Sequence, residues 1–176
     1  MNNNEKQRFV VYALRHNPNA IPVYLDNEGY CDVEELLANM RITMDELDSI
    51  VEQSGGRLVF SEDGSKIRAA HGHSVHIDYR FSDIPPNKLY HGTATRFVQS
   101  IKKSGLLPMN RSAVHLSESR DTAVRIGLRH SRNDMLGVTV IEIDTEAMLR
   151  DGFKFHRSED GVWLVEKVPT RYMSFK

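Results

Sequence analysis

The sequence predicts an α+β protein in two lobes, residues 1–84 and 87–176, on three observations. Helical apolar spacing fills the N-terminal part and ends in a hairpin pattern. Short strand-like runs fill the C-terminal part. Between them stands Ile84-Pro85-Pro86-Asn87, where paired prolines stiffen an extended connection.

Residues 5–16 (EKQRFVVYALRH) put Phe9, Val10, Ala13 and Leu14 on one side of a helix. Pro18 stops that helix soon after, leaving Arg15 and His16 in its last turn. Asn27-Glu28-Gly29 reads as a turn before a short extended piece around Tyr30. Asp32 with Glu35, and Thr43 with Glu46, are N-cap pairs opening two further helices. Arg57–Phe60 and Lys66–Ala70 flank an Asp63-Gly64 turn, a β-hairpin pattern. Helices followed by a hairpin describe a small winged-helix-like lobe.

Beyond the prolines, Lys88–His91 reads as a strand and Thr95–Ser104 as an amphipathic helix closed by Gly105. A strand at Ala113–Ser117, a helix at Ser119–His130 and a strand at Val138–Ile143 follow. Strands at Phe153–Phe155 and Val162–Val168 complete a β-rich lobe.

With 176 residues, 40% hydrophobic and 27% charged, the chain can bury a core without staples. One cysteine, Cys31, excludes an internal disulfide framework and a thiolate zinc site. No apolar run approaches the ~18 residues of a membrane span, and Met1–Lys6 lacks the apolar segment of a signal peptide. A cytoplasmic protein is expected. Net charge is −1, yet residues 1–86 hold 8 Lys+Arg against 14 Asp+Glu, and residues 87–176 hold 15 against 10. The C-terminal half is the better host for an anion, and any nucleic acid should be gripped by few phosphate contacts.

Two stretches concentrate chemistry. Ile67–Ser74 (IRAAHGHS) and Leu89–Thr93 (LYHGT) combine two His–Gly turns with one arginine. Glycine lets backbone approach a ligand, histidine changes charge near neutral pH, and arginine forks onto phosphate oxygens. Such residues at strand ends suit a phosphorylated, nucleotide-sized ligand. His71, His73 and His76 do not make a metal site, because no carboxylate or cysteine stands at ligand spacing and strand alternation separates His73 from His76.

Five motifs occur in order: Leu14-Arg15-His16-Asn17-Pro18, Ile67-Arg68-Ala69…Gly72-His73-Ser74, Leu89-Tyr90-His91-Gly92-Thr93, Val114-His115-Leu116-Ser117 and Gly161-Val162-Trp163-Leu164. With them the chain closely resembles the NAD-dependent RNA 2′-phosphotransferases, from about Arg8 to about Tyr172. The resemblance implies an N-terminal RNA lobe of winged-helix type and a C-terminal NAD lobe of ADP-ribosyltransferase type. It also implies a two-step reaction. An internal RNA 2′-phosphate attacks the nicotinamide ribose of NAD and expels nicotinamide. The ribose 2″-hydroxyl then attacks that phosphate, leaving an RNA 2′-OH and ADP-ribose 1″,2″-cyclic phosphate.

By the same resemblance the catalytic residues are Arg15, His16, Arg68 and Arg129. Arg129 is chosen over Arg125 because Ala123-Val124-Arg125-Ile126-Gly127-Leu128-Arg129 fits the family's Ala-x-x-aliphatic-Gly-x-Arg pattern. Tyr90, His91, Gly92, Thr93, His115 and Ser117 are expected to hold NAD, with His73 and Ser74 reaching its pyrophosphate or ribose. Glu166 is read as a solvated strand residue. The expected partners are NAD as co-substrate and RNA carrying a 2′-phosphate, with no metal and no membrane, and the chain a monomer. His71, where the family more often has an amide, and Tyr30, where it has tryptophan, depart from the pattern. Two rival readings are a plain ADP-ribosyltransferase acting on nucleic-acid phosphate, protein or small molecule, and a non-catalytic winged-helix nucleic-acid-binding protein that senses NAD.

Overall fold

The computed structural model describes residues 1–132 and 134–176. They form two compact units: Met1–Tyr79 with Asn110–Ser112, and Arg80–Met109 with Ala113–Lys176.

The first unit opens with α1 (Asn3–His16). Asn2 and Glu5 form a reciprocal capping box, each side chain accepting from the other's backbone N–H at 2.9 Å. The box carries the helix two residues further back than apolar spacing alone indicates. β1 (Cys31–Asp32) leads into α2 (Val33–Met40), where Asp32 caps the Glu35 N–H at 3.0 Å. Glu35 does not return the bond to Asp32; it accepts instead from the Tyr24 N–H. Thr43 and Glu46 do form a complete box at the start of α3 (Met44–Gln53). β2 (Leu58–Phe60) and β3 (Lys66–Ala69) make the expected hairpin, with Gly64 at φ 74°. The antiparallel order is β1-β3-β2. Val10, Leu14, Leu36, Leu47, Ile50 and Ile67 meet in its core.

In the second unit β4 (Lys88–Ala94) runs three residues past the expected strand. A 3-10 turn, Thr95–Phe97, precedes α4 (Val98–Ser104), and Gly105 at φ 75° ends it. β5 (Val114–Leu116), α5 (Arg120–His130, capped by Ser119) and β6 (Val138–Asp144) lie where the sequence puts them. α6 (Thr145–Arg150) follows directly, capped by Asp144. Its end consumes Phe153: Gly152 turns at φ 90° and the Phe153 N–H bonds Met148 O at 3.0 Å. β7 (Phe155–Arg157) therefore begins two residues later than expected. β8 (Trp163–Val165) is shorter than the predicted strand, and β9 (Met173–Phe175) adds one more.

Two antiparallel sheets result, β4-β6-β9 and β5-β8-β7, joined by a bridge between Tyr90 and Ser117. Leu89, Leu116, Ile141, Ile143, Phe155 and Trp163 fill the core. The proline pair does not hang free. Asp83 pairs with Phe155, the Thr145 hydroxyl donates to Pro86 O, and the Thr145 N–H donates to Asn87 O at 3.2 Å. Among the described residues, no helix is long and apolar enough to cross a membrane.

Candidate active site

The last turn of α1 brings Arg15 and His16 to a helix C-terminus, where the helix dipole favours cations. The carbonyls there need donors, and the loop after β3 supplies them. The Ser74 and Val75 N–H groups both donate to Arg15 O, at 2.9 and 3.4 Å. Ser74 Oγ also lies 2.9 Å from His16 Nδ1, which fixes the imidazole and leaves Nε2 for other contacts. Tyr12, one turn earlier, stands beside that ring at 5.7 Å between centroids.

Gly72 allows this docking. Its φ of +84° is left-handed, and a Cβ there would sit 3.1 Å from Arg111 Nη1 and 3.3 Å from Arg15 Cζ. His73 is 1% exposed, with Nδ1 2.8 Å from the Tyr79 hydroxyl. Burial above all, then the charges of Arg15, His71, Arg68 and His16, push its pKa down to about 3, so it is neutral at physiological pH. Partial burial also lowers His16, followed by the charges of Arg111 and Arg15. Arg68, on β3, lies over the Tyr30 ring at 4.6 Å and donates to Glu28 O. Arg15, His16, Arg68, His73 and Ser74 thus come together in one unit.

In the second unit, Tyr90 to Thr93 are successive residues of β4. His91 Nδ1 stands 3.0 Å from His115 O. Because a carbonyl only accepts, Nδ1 carries the proton and Nε2 of the neutral ring is an acceptor. Burial holds His91 below the ordinary histidine value against the opposing effect of that bond, with the charge of His130 adding to the lowering. Gly92 has a packing reason: its Cβ would fall 1.7 Å from Ala123 O, so α5 crosses β4 at backbone contact. Gly127 faces Gly92 across the same crossing, its own Cβ 3.2 Å from Gly92 C. Thr93 is buried, and its hydroxyl bonds Ala94 O at 3.5 Å. His115 and Ser117 alternate on and just after β5, and Ser117 exchanges two backbone hydrogen bonds with Tyr90.

Arg125 and Arg129 are both exposed and four residues apart on α5. Arg125 is tied to the Thr122 hydroxyl at 3.1 Å. Arg129, in the last turn, makes no hydrogen bond or ion pair among the described residues. Glu166 lies past the end of β8 and is exposed.

A profile described as the RNA 2′-phosphotransferase, Tpt1 / KptA family matches residues 2–167. The chain belongs to this family. It is 44% identical over 175 residues to a protein of Burkholderia pseudomallei, covering 96% of this chain and 92% of that one. It is 40% identical to a protein of Flavobacterium johnsoniae over 96% and 94% of the two chains. A protein of Agrobacterium fabrum is also 40% identical, over 95% and 91%. All three carry the name "Probable RNA 2′-phosphotransferase". Membership makes the chain a transferase acting on the 2′-phosphate of RNA.

Sequence reasoning missed Arg111, Tyr79 and Ser112. Ser112 donates its N–H to His73 O at 2.9 Å, and its hydroxyl lies 3.3 Å from that of Tyr79. Burial raises the Tyr79 phenol. These residues lie in irregular segments with no periodicity to mark them, and long-range hydrogen bonds from Arg111 and Ser112 tie Asn110–Ser112 to the first unit. Cys31, buried with its thiol pushed up to about 12 by burial and then by Glu35, offers no nucleophile.

Proposed function

We propose that the protein removes an internal RNA 2′-phosphate with NAD as co-substrate. The observation that carries the reading is the cationic cluster at the end of α1: Arg15 against Gly72, Arg68 over Tyr30, and His16 held by Ser74. An anionic phosphomonoester is already a nucleophile, so the first step needs no general base. It needs a phosphate held in line, which arginine forks provide.

The residues of the second unit fit NAD. His91 is half-buried and keeps one ring nitrogen as an acceptor for a ribose hydroxyl, while His115 and Ser117 alternate nearby, on β5 and just after it. When bound, NAD supplies an electrophilic ribose carbon with nicotinamide as its leaving group. Tyr90, His91, Thr93, His115 and Ser117 orient it, and Gly92 sets the α5 crossing that shapes the strand. Arg129 is the arginine of this unit that the reaction draws on.

The second step is a transesterification at phosphorus. Arg15 and Arg68 neutralise charge building on the nonbridging oxygens. His16 takes the proton of the attacking ribose hydroxyl and delivers it to the departing RNA 2′-oxygen. Its lowered pKa keeps it in the neutral, accepting form. His73 is a neutral support for the loop rather than a proton carrier. RNA reaches the first unit through a narrow strip containing Arg8, Arg15 and Arg68, consistent with that half's acidic balance.

The test is a short RNA with one labelled internal 2′-phosphate, incubated with and without NAD. Label leaving as ADP-ribose cyclic phosphate only when NAD is present is the expected result. Label that stays on the RNA under both conditions would contradict the reading.

A further inference from the structure

Arg111 stands outside every motif, yet it meets the first unit's cations. Its Nη1 donates to Gly72 O, which aims the guanidinium at the loop that docks on α1. Nη1 and the Arg15 guanidinium approach one point, the place a Cβ on Gly72 would take: Nη1 at 3.1 Å, Arg15 Cζ and Nε each at 3.3 Å. Like charges converging in this way repel, and the carbonyl that holds Arg111 does not neutralise it. Among the described residues Arg111 enters no ion pair, and no acceptor but Gly72 O takes its hydrogens.

The segment carrying Arg111 is anchored. Ser112 bonds His73 O through its N–H at 2.9 Å and its hydroxyl at 3.2 Å. The chain enters the segment through Met109 at φ 56°, a conformation that residues other than glycine avoid. The segment therefore holds an unfavourable turn while it brings the Arg111 guanidinium to the place beside Gly72 that Arg15 also approaches. A dianionic phosphate compensates such an arrangement, since paired guanidiniums give it charge-assisted hydrogen bonds from two directions.

We propose that Arg111 is a further phosphate-binding residue, gripping the RNA 2′-phosphate together with Arg15. This rests on the phosphotransferase reading above. The Arg111 charge also reaches His16, which has Arg15 and Tyr12 on α1 and Ser74 and His73 on the loop near it. Its charge is the largest lowering influence on His16 after burial. One residue thus holds the phosphate and adds to the lowering of the neighbouring histidine's pKa that burial begins.

The experiment measures equilibrium binding of two RNAs of one sequence, with and without an internal 2′-phosphate, to the full chain and to Arg111→Gln. Thermal melting of both proteins and NAD binding are followed alongside. The wild type should prefer the phosphorylated RNA, and Arg111→Gln should lose about 10- to 100-fold of that preference, the loss expected for hydrogen bonds to a charged group. NAD affinity should not change. Should the glutamine variant melt early, Arg111→Lys carries the test, because it keeps the charge without the fork; a preference reduced several-fold is then expected. An unchanged preference in a folded variant overturns the role of Arg111 and leaves the phosphotransferase reading standing. A wild type that does not discriminate between the two RNAs overturns both.

Discussion

In the first unit the polar side chains stand where elements end. Arg15 and His16 occupy the last turn of α1, Ser74 follows the turn at Gly72, and Arg111 sits in a segment clipped to Gly72 and His73. In the second unit Tyr90 to Thr93 are consecutive in β4, held by a seven-residue register against β6. Their surroundings come from a helix pressed onto that strand at Gly92 and Gly127. The first arrangement depends on side chains and loop hydrogen bonds that substitution can remove while the core stays intact. The second is built into the backbone, so its chemistry and its stability are harder to separate.

Matched glycine substitutions test that difference. Gly92→Ala puts a methyl group 1.7 Å from a backbone oxygen of α5, which neither strand nor helix can yield. A loss of about 4 kcal/mol or more is expected in chemical denaturation, enough to unfold many domains. Arg15→Ala and Arg68→Ala should instead leave melting nearly unchanged and lower kcat by about 10²–10³, the usual cost of a lost transition-state donor. A variant of either arginine that keeps most of its activity removes that residue from the mechanism.

His73 sharpens the comparison through pH. Its folded pKa of about 3 lies below the ordinary histidine value of 6.5, so the unfolded chain binds a proton that the folded chain refuses. Its contribution is complete above the unfolded value and is lost as pH falls between 6.5 and about 3. Between pH 7 and pH 5 this amounts to about 2 kcal/mol. Denaturation of His73→Gln at both pH values should show a shallower acid loss than wild type; equal losses would mean that His73 titrates normally. Gly72→Ala is the mildest change. Its Cβ meets the flexible ends of two arginines, so the cost is that of the left-handed backbone, about 1–2 kcal/mol. Activity should fall further than stability, because Arg15 and Arg111 must move aside.

Much of the first unit was legible because its signals are local. Asp32 and Thr43 cap helices from three residues away, and Asp63-Gly64 turns its hairpin within a few residues; the Asn2–Glu5 box is as local but begins ahead of the helix read at residues 5–16. The second unit hides more. α6 is too short to show periodicity between β6 and Phe153, and β9 is a three-residue strand defined by pairing with β6. The site divides along the same line. Arg15, His16 and Arg68 lie in motifs, whereas Arg111 is one arginine in an irregular loop, made significant by contacts with residues far away in the chain. Gly92 was legible as a glycine that matters, but its reason, the approach of Ala123 O, lies in the packing of α5.

The most direct measurement on the central claim is a rapid-quench time course of His16→Ala with labelled 2′-phosphorylated RNA and NAD. The first step needs no base and the second does. The account therefore predicts nicotinamide release near the wild-type rate, with label accumulating as ADP-ribosylated RNA that converts slowly to cyclic phosphate. Conversion to cyclic phosphate at the wild-type rate would contradict it, as would loss of nicotinamide release in a folded variant.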